Sequence, residues 1–199
     1  MSNPPAKGEI IVSTGSRKVT TIPIVGDGQL LMTDSQSATG LSYVDVSTIL
    51  NANKKIFSAY DSAGSINISG GPTAITWATE SRKDSDCYTH AVNSSSVTVT
   101  KNGNYHVTAN ITAATAVSLI QTTCYSRLEI NTGSGFVTVP GATSWGNLGT
   151  ITGGAATMTI DYVGSVTSGS IFRIVSKRIS GAGLTATIIN ASRLTIESV

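Results

Sequence analysis

From about Phe57 onward, apolar and polar positions alternate with a period of two, as expected of strands with one buried face. Val97, Val99, Tyr105, Val107, Ala109 and Ile111 share one parity, and Thr98, Thr100, His106, Thr108, Asn110 and Thr112 share the other. Between the two halves lies Lys101-Asn102-Gly103-Asn104, whose Asn-Gly pair supports positive φ and predicts a hairpin turn. Cys124, Leu128 and Ile130 alternate in the same way with Tyr125, Arg127 and Glu129, and Met158, Ile160 and Tyr162 with Thr157, Thr159 and Asp161. Segments 96–111, 126–139 and 157–179 each read as strand, turn, strand, and 192–199 reads as a strand that builds the end of the chain into a sheet.

One run departs from alternation. Ile171-Phe172-Arg173-Ile174-Val175 is apolar on both parities, so both of its faces are expected to be dry. Two accounts fit: contact with another subunit, or a central strand covered by a loop. Repeated strands separated by turn residues predict an antiparallel sandwich or jelly roll and argue against a βαβ architecture.

Upstream, the pattern divides the chain into three parts. Residues 1–45 open with Pro4 and Pro5, continue as two strands at Glu9–Ser13 and Lys18–Val25, and then carry Gly26-Asp27-Gly28 and the apolar run Leu30-Leu31-Met32. So few large apolar side chains cannot bury a core alone, and this segment is expected to need a partner. Residues 46–56 read as a helical or extended linker, with Asp45 or Ser47 as a cap and Val46, Ile49 and Leu50 near helical spacing. Residues 57–199 form the main domain.

Composition changes this picture mainly by exclusion. Charged residues make up only 12% of the 199 residues, against about 25% in an average soluble protein. Ser, Thr, Asn and Gly must then supply the polar surface, which suits strands and turns. A net charge of +2 with scattered Lys and Arg argues against the basic stripe that nucleic acid selects. The N-terminus reads without a secretory signal, and no run approaches a membrane span. The two cysteines, Cys87 and Cys124, lack metal-ligand spacing and are read as buried thiols in preference to a bridge.

His90 near Cys87 could form a Cys-His pair, but a thiolate site wants an electropositive pocket and an orienting third group. Gly26-Asp27-Gly28 and Gly181-Ala182-Gly183 lack the third glycine and the βαβ context of a dinucleotide loop, and are read as turns. Asp84 and Asp86, flanked by Arg82 and Lys83, are read as a solvated loop rather than a Ca²⁺ site. A polysaccharide hydrolase or lyase would need a carboxylate pair, for which Asp161 and Glu129 are the residues to test. The Asn-x-Ser/Thr sequences at Asn67, Asn93, Asn110 and Asn190 are what such a composition produces by chance. No catalytic, cofactor or metal residue is assigned. Trp77, Tyr88, Tyr125 and Trp145 are flat side chains near loops or strand edges, able to stack on a sugar or anchor a protein contact, or to close the ends of the core.

Asn102-Gly103-Asn104-Tyr105-His106-Val107, the pair of strands around Ser168-Gly169-Ser170, and the closing strand Ser192–Val199 resemble the C1q/TNF-like jelly roll over residues 57–199. Such heads are usually compact trimers, and the resemblance implies a homotrimer with apolar strands along its axis. On that basis Tyr105, Ile171, Phe172, Ile174 and Val175 are the expected subunit interface. Residues 25–44, VGDGQLLMTDSQSATGLSYV, resemble a segment of phage and other viral fibre proteins, with Tyr43 where Trp is more common. Together the resemblances imply an all-β, C1q/TNF-like head behind a small extended N-terminal attachment segment. The implied function is a non-enzymatic virion head fibre, tail fibre or spike on the particle surface. Its expected partners are other copies of itself, a capsid or tail protein, and a host-surface glycan or protein. A capsid decoration protein that cements the shell is the alternative.

Overall fold

The computed structural model describes residues 9–15, 18–23, 29–37, 39–45, 54–116, 121–149 and 154–199. The chain divides into two units, Met1–Lys54 and Lys55–Val199. The linker reading for 46–56 falls almost wholly on residues outside the described ones, as does Gly26-Asp27-Gly28.

The first unit contains two antiparallel hairpins. Glu9–Gly15 (β1) pairs with Lys18–Pro23 (β2), and Gln29–Thr33 (β3) with Leu41–Asp45 (β4). The β3–β4 connection is closed by Asp34 N–H donating to the Gly40 carbonyl at 2.8 Å, and by Gln36 N–H donating to Asp34 Oδ1 at 2.9 Å. Gly40 sits at φ +71°, where a Cβ would be strained. Leu30 and Met32 lie on one face of β3 and remain 50% and 43% exposed.

The second unit is an antiparallel sandwich. Its strands are Ile56–Tyr60 (β5), Thr73–Ala74 (β6), Thr79–Lys83 (β7), Tyr88–Thr89 (β8), Val97–Val99 (β9), Gly103–Thr115 (β10), Thr122–Asn131 (β11), Phe136–Leu148 (β12), Ala155–Val166 (β13), Ile171–Ser180 (β14), Thr185–Thr187 (β15) and Arg193–Ser198 (β16). One sheet runs β13-β10-β16-β5-β7 with β15 also beside β10. The other runs β12-β11-β14-β9-β8 with β6 also beside β14. This is the jelly-roll arrangement, in which successive strands pass between sheets. The final strand lies between β10 and β5, and Val199 N–H donates to the Asn104 carbonyl at 3.0 Å.

Alternation places the core. Val97, Val99, Tyr105, Val107, Ala109 and Ile111 are all buried, as are Cys124, Leu128, Met158 and Ile160. The hairpin expected at Lys101–Asn104 does not form. β9 pairs with β8 and β14, whereas β10 pairs with β13, β15 and β16, so the chain crosses from one sheet to the other here. Shared parity arose because the inner faces of both sheets look into one core. The Thr167–Ser170 turn is a second such crossing, with Gly169 at φ +87°. Segment 126–139 is a true hairpin: Asn131 Oδ1 accepts from Gly133 N–H at 2.8 Å and Gly135 N–H at 3.0 Å, and both glycines have positive φ.

The structure also corrects the proposed subunit interface. Tyr105, Phe172 and Ile174 are core residues with at most 1% exposure, and Val175 is 2% exposed. β14 is the central strand of its sheet. Phe172 and Ile174 face the opposite sheet, while Val175, on the outer parity, is flanked by Ala74 of β6 and Arg127 of β11. Of the five residues only Ile171 keeps partial exposure. The two-sided apolarity is therefore consumed within one protomer, and the covered central strand is the account that holds.

Candidate functional site

The four singled-out aromatics separate into two pairs. Trp77 and Tyr88 are 0% and 1% exposed and complete the core. The Tyr88 hydroxyl donates to the Lys55 carbonyl at 2.9 Å, and its ring meets that of Tyr105 edge-on at 6.1 Å. Burial is the main cause that holds the Tyr88 hydroxyl far above the usual phenol range. Neither ring can touch a ligand from outside.

Tyr125 and Trp145 stand together on the outer face of the second sheet. They are opposite residues on β11 and β12, with ring centroids 5.7 Å apart. Residues opposite each other in an antiparallel ladder share a face, so the register extends this site residue by residue. Lys177 of β14 flanks Tyr125 on its other side, and the next outward row holds Val175, Arg127 and Thr143. The row after it holds Arg173, Glu129 and Thr138. Phe136 lies opposite Asn131 in the last row.

The charged members of these rows are tied together. Arg127 donates through Nε and Nη2 to Glu129 Oε1 at 2.9 and 2.6 Å, and Arg173 donates through Nε and Nη2 to Glu129 Oε2 at 2.8 and 2.7 Å. Glu129 is only 4% exposed, and it is held there by two forked, charge-assisted pairs. Each guanidinium also lies against a ring: Arg173 is 3.6 Å from the Phe136 centroid and Arg127 is 5.4 Å from that of Tyr125. The result is a linked outward array from Phe136 through Arg173, Glu129, Arg127 and Tyr125 to Trp145, which is 62% exposed.

The remaining candidates are taken up by structural contacts. His90 has both ring nitrogens engaged, Nδ1 with Glu80 Oε1 at 2.8 Å and Nε2 with the Ser94 carbonyl at 3.1 Å, while Cys87 Sγ faces the Tyr105 hydroxyl at 3.3 Å. Both thiols are buried and unbridged, and burial pushes Cys124 up to about 11. Asp84 accepts from Ile56 N–H at 2.7 Å, and Asp86 pairs with Lys55 and Lys101 at 3.1 and 2.9 Å. The hydrogen bond from Ile56 holds Asp84 below the usual carboxylate range, and those from Lys101 and Lys55 do the same for Asp86. No group of three or more metal-ligating side chains occurs among the described residues. Asp161 points outward from β13 in the first sheet and Glu129 outward from β11 in the second, with the core between them, so these two cannot act as a carboxylate pair. Asn93 and Asn190 occupy turn positions with positive φ. A shallow depression of about 430 Å³ on the first sheet is lined by Tyr60, Asn110, Asn190, Ala191 and Arg193.

Sequence reading found Tyr125 and Trp145 but missed Arg127, Glu129, Arg173, Lys177 and Phe136 as parts of one site. Each lies at an outward parity, and that signal was visible. Their convergence depends on which strands are neighbours and in what register.

No protein-family model matches the chain, and no curated protein matches it. Among solved structures, murine APRIL is similar, with a TM-score of 0.53 at 10% identity, covering 74% of this chain and all of that one. The Eiger TNF from S. frugiperda is similar with a TM-score of 0.53 at 12% identity, covering 73% of this chain and 92% of that one. At such identity the likeness concerns the fold: the chain carries a TNF-like, all-β jelly roll.

Proposed function

We propose that this chain is a non-enzymatic structural protein of a virus particle, a short trimeric head fibre, tail fibre or spike that displays its jelly roll for adhesion to the host surface. The observation that carries this reading is the outward platform on the second sheet, where Trp145 is exposed on a scaffold already locked by Tyr125 and the Arg127–Glu129–Arg173 cluster. A surface for recognition should be rigid before its ligand arrives, because ordering costs are then already met. The resemblance of the head to C1q/TNF-like jelly rolls supports a trimer, and three copies of one weak site multiply affinity through avidity. The resemblance of residues 25–44 to viral fibre segments supports attachment through the first unit. Leu30 and Met32, exposed on a two-stranded hairpin of a kind only marginally stable alone, fit a role there against a capsid or tail protein.

Light scattering on the purified chain, with antibody labelling of intact particles, tests this. A mass near 61 kDa, three chains of 20.4 kDa, and labelling of intact particles by antibody to 55–199 are expected. A 20.4 kDa monomer that labels the shell but does not compete for host adsorption would favour a decoration protein. Labelling confined to disrupted particles would remove the surface role.

A further inference from the structure

Resting on the adhesion reading, we infer that the outer face of the second sheet binds an anionic saccharide, with a sugar ring on Trp145 and its negative charge met by Lys177 and Arg127. The register sets Lys177, Tyr125 and Trp145 in one row, with neighbours about 5 Å apart. Trp145 is 62% exposed, while Tyr125, itself nearly buried, packs beside it with ring centroids 5.7 Å apart. The indole thus offers a flat apolar surface, matched by the C–H face of a pyranose and unable to collapse into the protein.

Charge selects among saccharides. The outward positions of β11, β12 and β14 carry Arg127, Arg173 and Lys177 against a single carboxylate, Glu129, whose two oxygens are divided between the arginines. Lys177 makes no salt bridge among the described residues. Arg127 commits Nε and Nη2 to Glu129, leaving its other N–H groups to a ligand. A neutral sugar would leave this positive excess unanswered. A nucleic acid would need a longer track of cations than three.

Intrinsic tryptophan fluorescence of the full-length chain provides the test, since Trp77 is fully buried and Trp145 is the exposed reporter. Sodium glucuronate is titrated to high millimolar concentration, with glucose as the uncharged match and sodium acetate as the match lacking a ring. The expected result is a saturable change for glucuronate alone. It should vanish in Trp145→Ala and weaken roughly tenfold in Lys177→Ala, the loss of one charge-assisted contact. Asn110→Ala, on the other sheet, should leave it unaltered, and unchanged melting would show that all three variants fold. An equal response to glucose, no saturable response to glucuronate, or a response surviving in Trp145→Ala overturns the inference. A blue-shifted Trp145 emission that reddens as the oligomer dissociates would assign the platform to a second copy and likewise overturn it. Adhesion itself is measured separately, by competition of the purified protein for host attachment, and can stand when the saccharide assignment falls.

Discussion

Glu129 is the residue on which the outer platform depends. Its carboxylate is nearly buried and meets two guanidiniums, each with a side chain 30% exposed. Removing one partner from such a cluster is costly because the charges left behind have lost their compensation. Glu129→Gln keeps the shape and one acceptor but leaves Arg127 and Arg173 facing each other without a counter-charge. Because the arginines retain some solvent, a loss of about 2 kcal/mol is expected, between that of an exposed ion pair and that of a fully buried one. Chemical denaturation of the variant beside the parent chain checks it; a change below experimental error would show that the cluster is solvated and only decorative. None of this was legible from the residue itself, which reads as one polar position in an alternating strand. Its burial follows from two long arginine side chains laid over it, one from Arg127 two positions back on the same strand and one from Arg173 opposite it on β14.

Among the elements, the β7–β8 segment has an unusual position, since β7 is the edge of the first sheet and β8 the edge of the second. Three of its carboxylates are held below their ordinary range. Burial acts to raise Glu80, but hydrogen bonds from Lys83 and His90 outweigh it. Asp84 is lowered chiefly by the Ile56 N–H, and Asp86 by Lys101 and Lys55. A carboxylate with a depressed folded pKa contributes stability that is fully present above its unfolded value, about 3.9 for Asp and 4.3 for Glu, and is lost as pH falls through the folded value. The melting temperature should therefore hold between pH 7 and 5 and fall as the pH drops below about 4. Asp84→Asn should start lower and show a shallower acid fall. Parallel acid curves for the two proteins would mean that Asp84 contributes nothing to the linkage. The sequence showed these charges as a mixed loop. It did not show that Asp84 is tied to the first residue of β5, because that bond spans 28 positions.

At the scale of the whole molecule, the core of the second unit is self-sufficient. Among the described residues, every member of its apolar cluster lies between Phe57 and Ile196, and Asp61, fully buried, fastens the end of β5 to the β15–β16 region through Thr187 Oγ1 at 2.8 Å and the Asn190 N–H at 2.8 Å. A chain comprising residues 55–199 should melt cooperatively within about 3 °C of the full chain, a shift corresponding to less than 1 kcal/mol. Differential scanning calorimetry decides this; a loss of cooperativity would show that the first 54 residues help to stabilise the head.

The class of the fold was legible because alternation is a local property: a strand with one dry face writes its burial into every second residue, and Val97 to Ile111 and Met158 to Tyr162 did so. Turn chemistry was legible where a loop satisfies itself, as Asn131 and its two glycines do. Which strands meet was not written locally. Lys101–Asn104 looked like a hairpin yet is a crossing between sheets, since inner faces of opposite sheets carry the same alternation. The two-sided apolarity of Ile171–Val175 was correctly visible, but its cause, a central strand with its outer side covered, depended on the placement of β6 and β11. The platform was decided at the same level. Arg127 and Glu129 stand two positions apart on one strand, but Arg173, Lys177 and Trp145 joined them only once pairing and register were set, because side chains on a sheet also meet across strands.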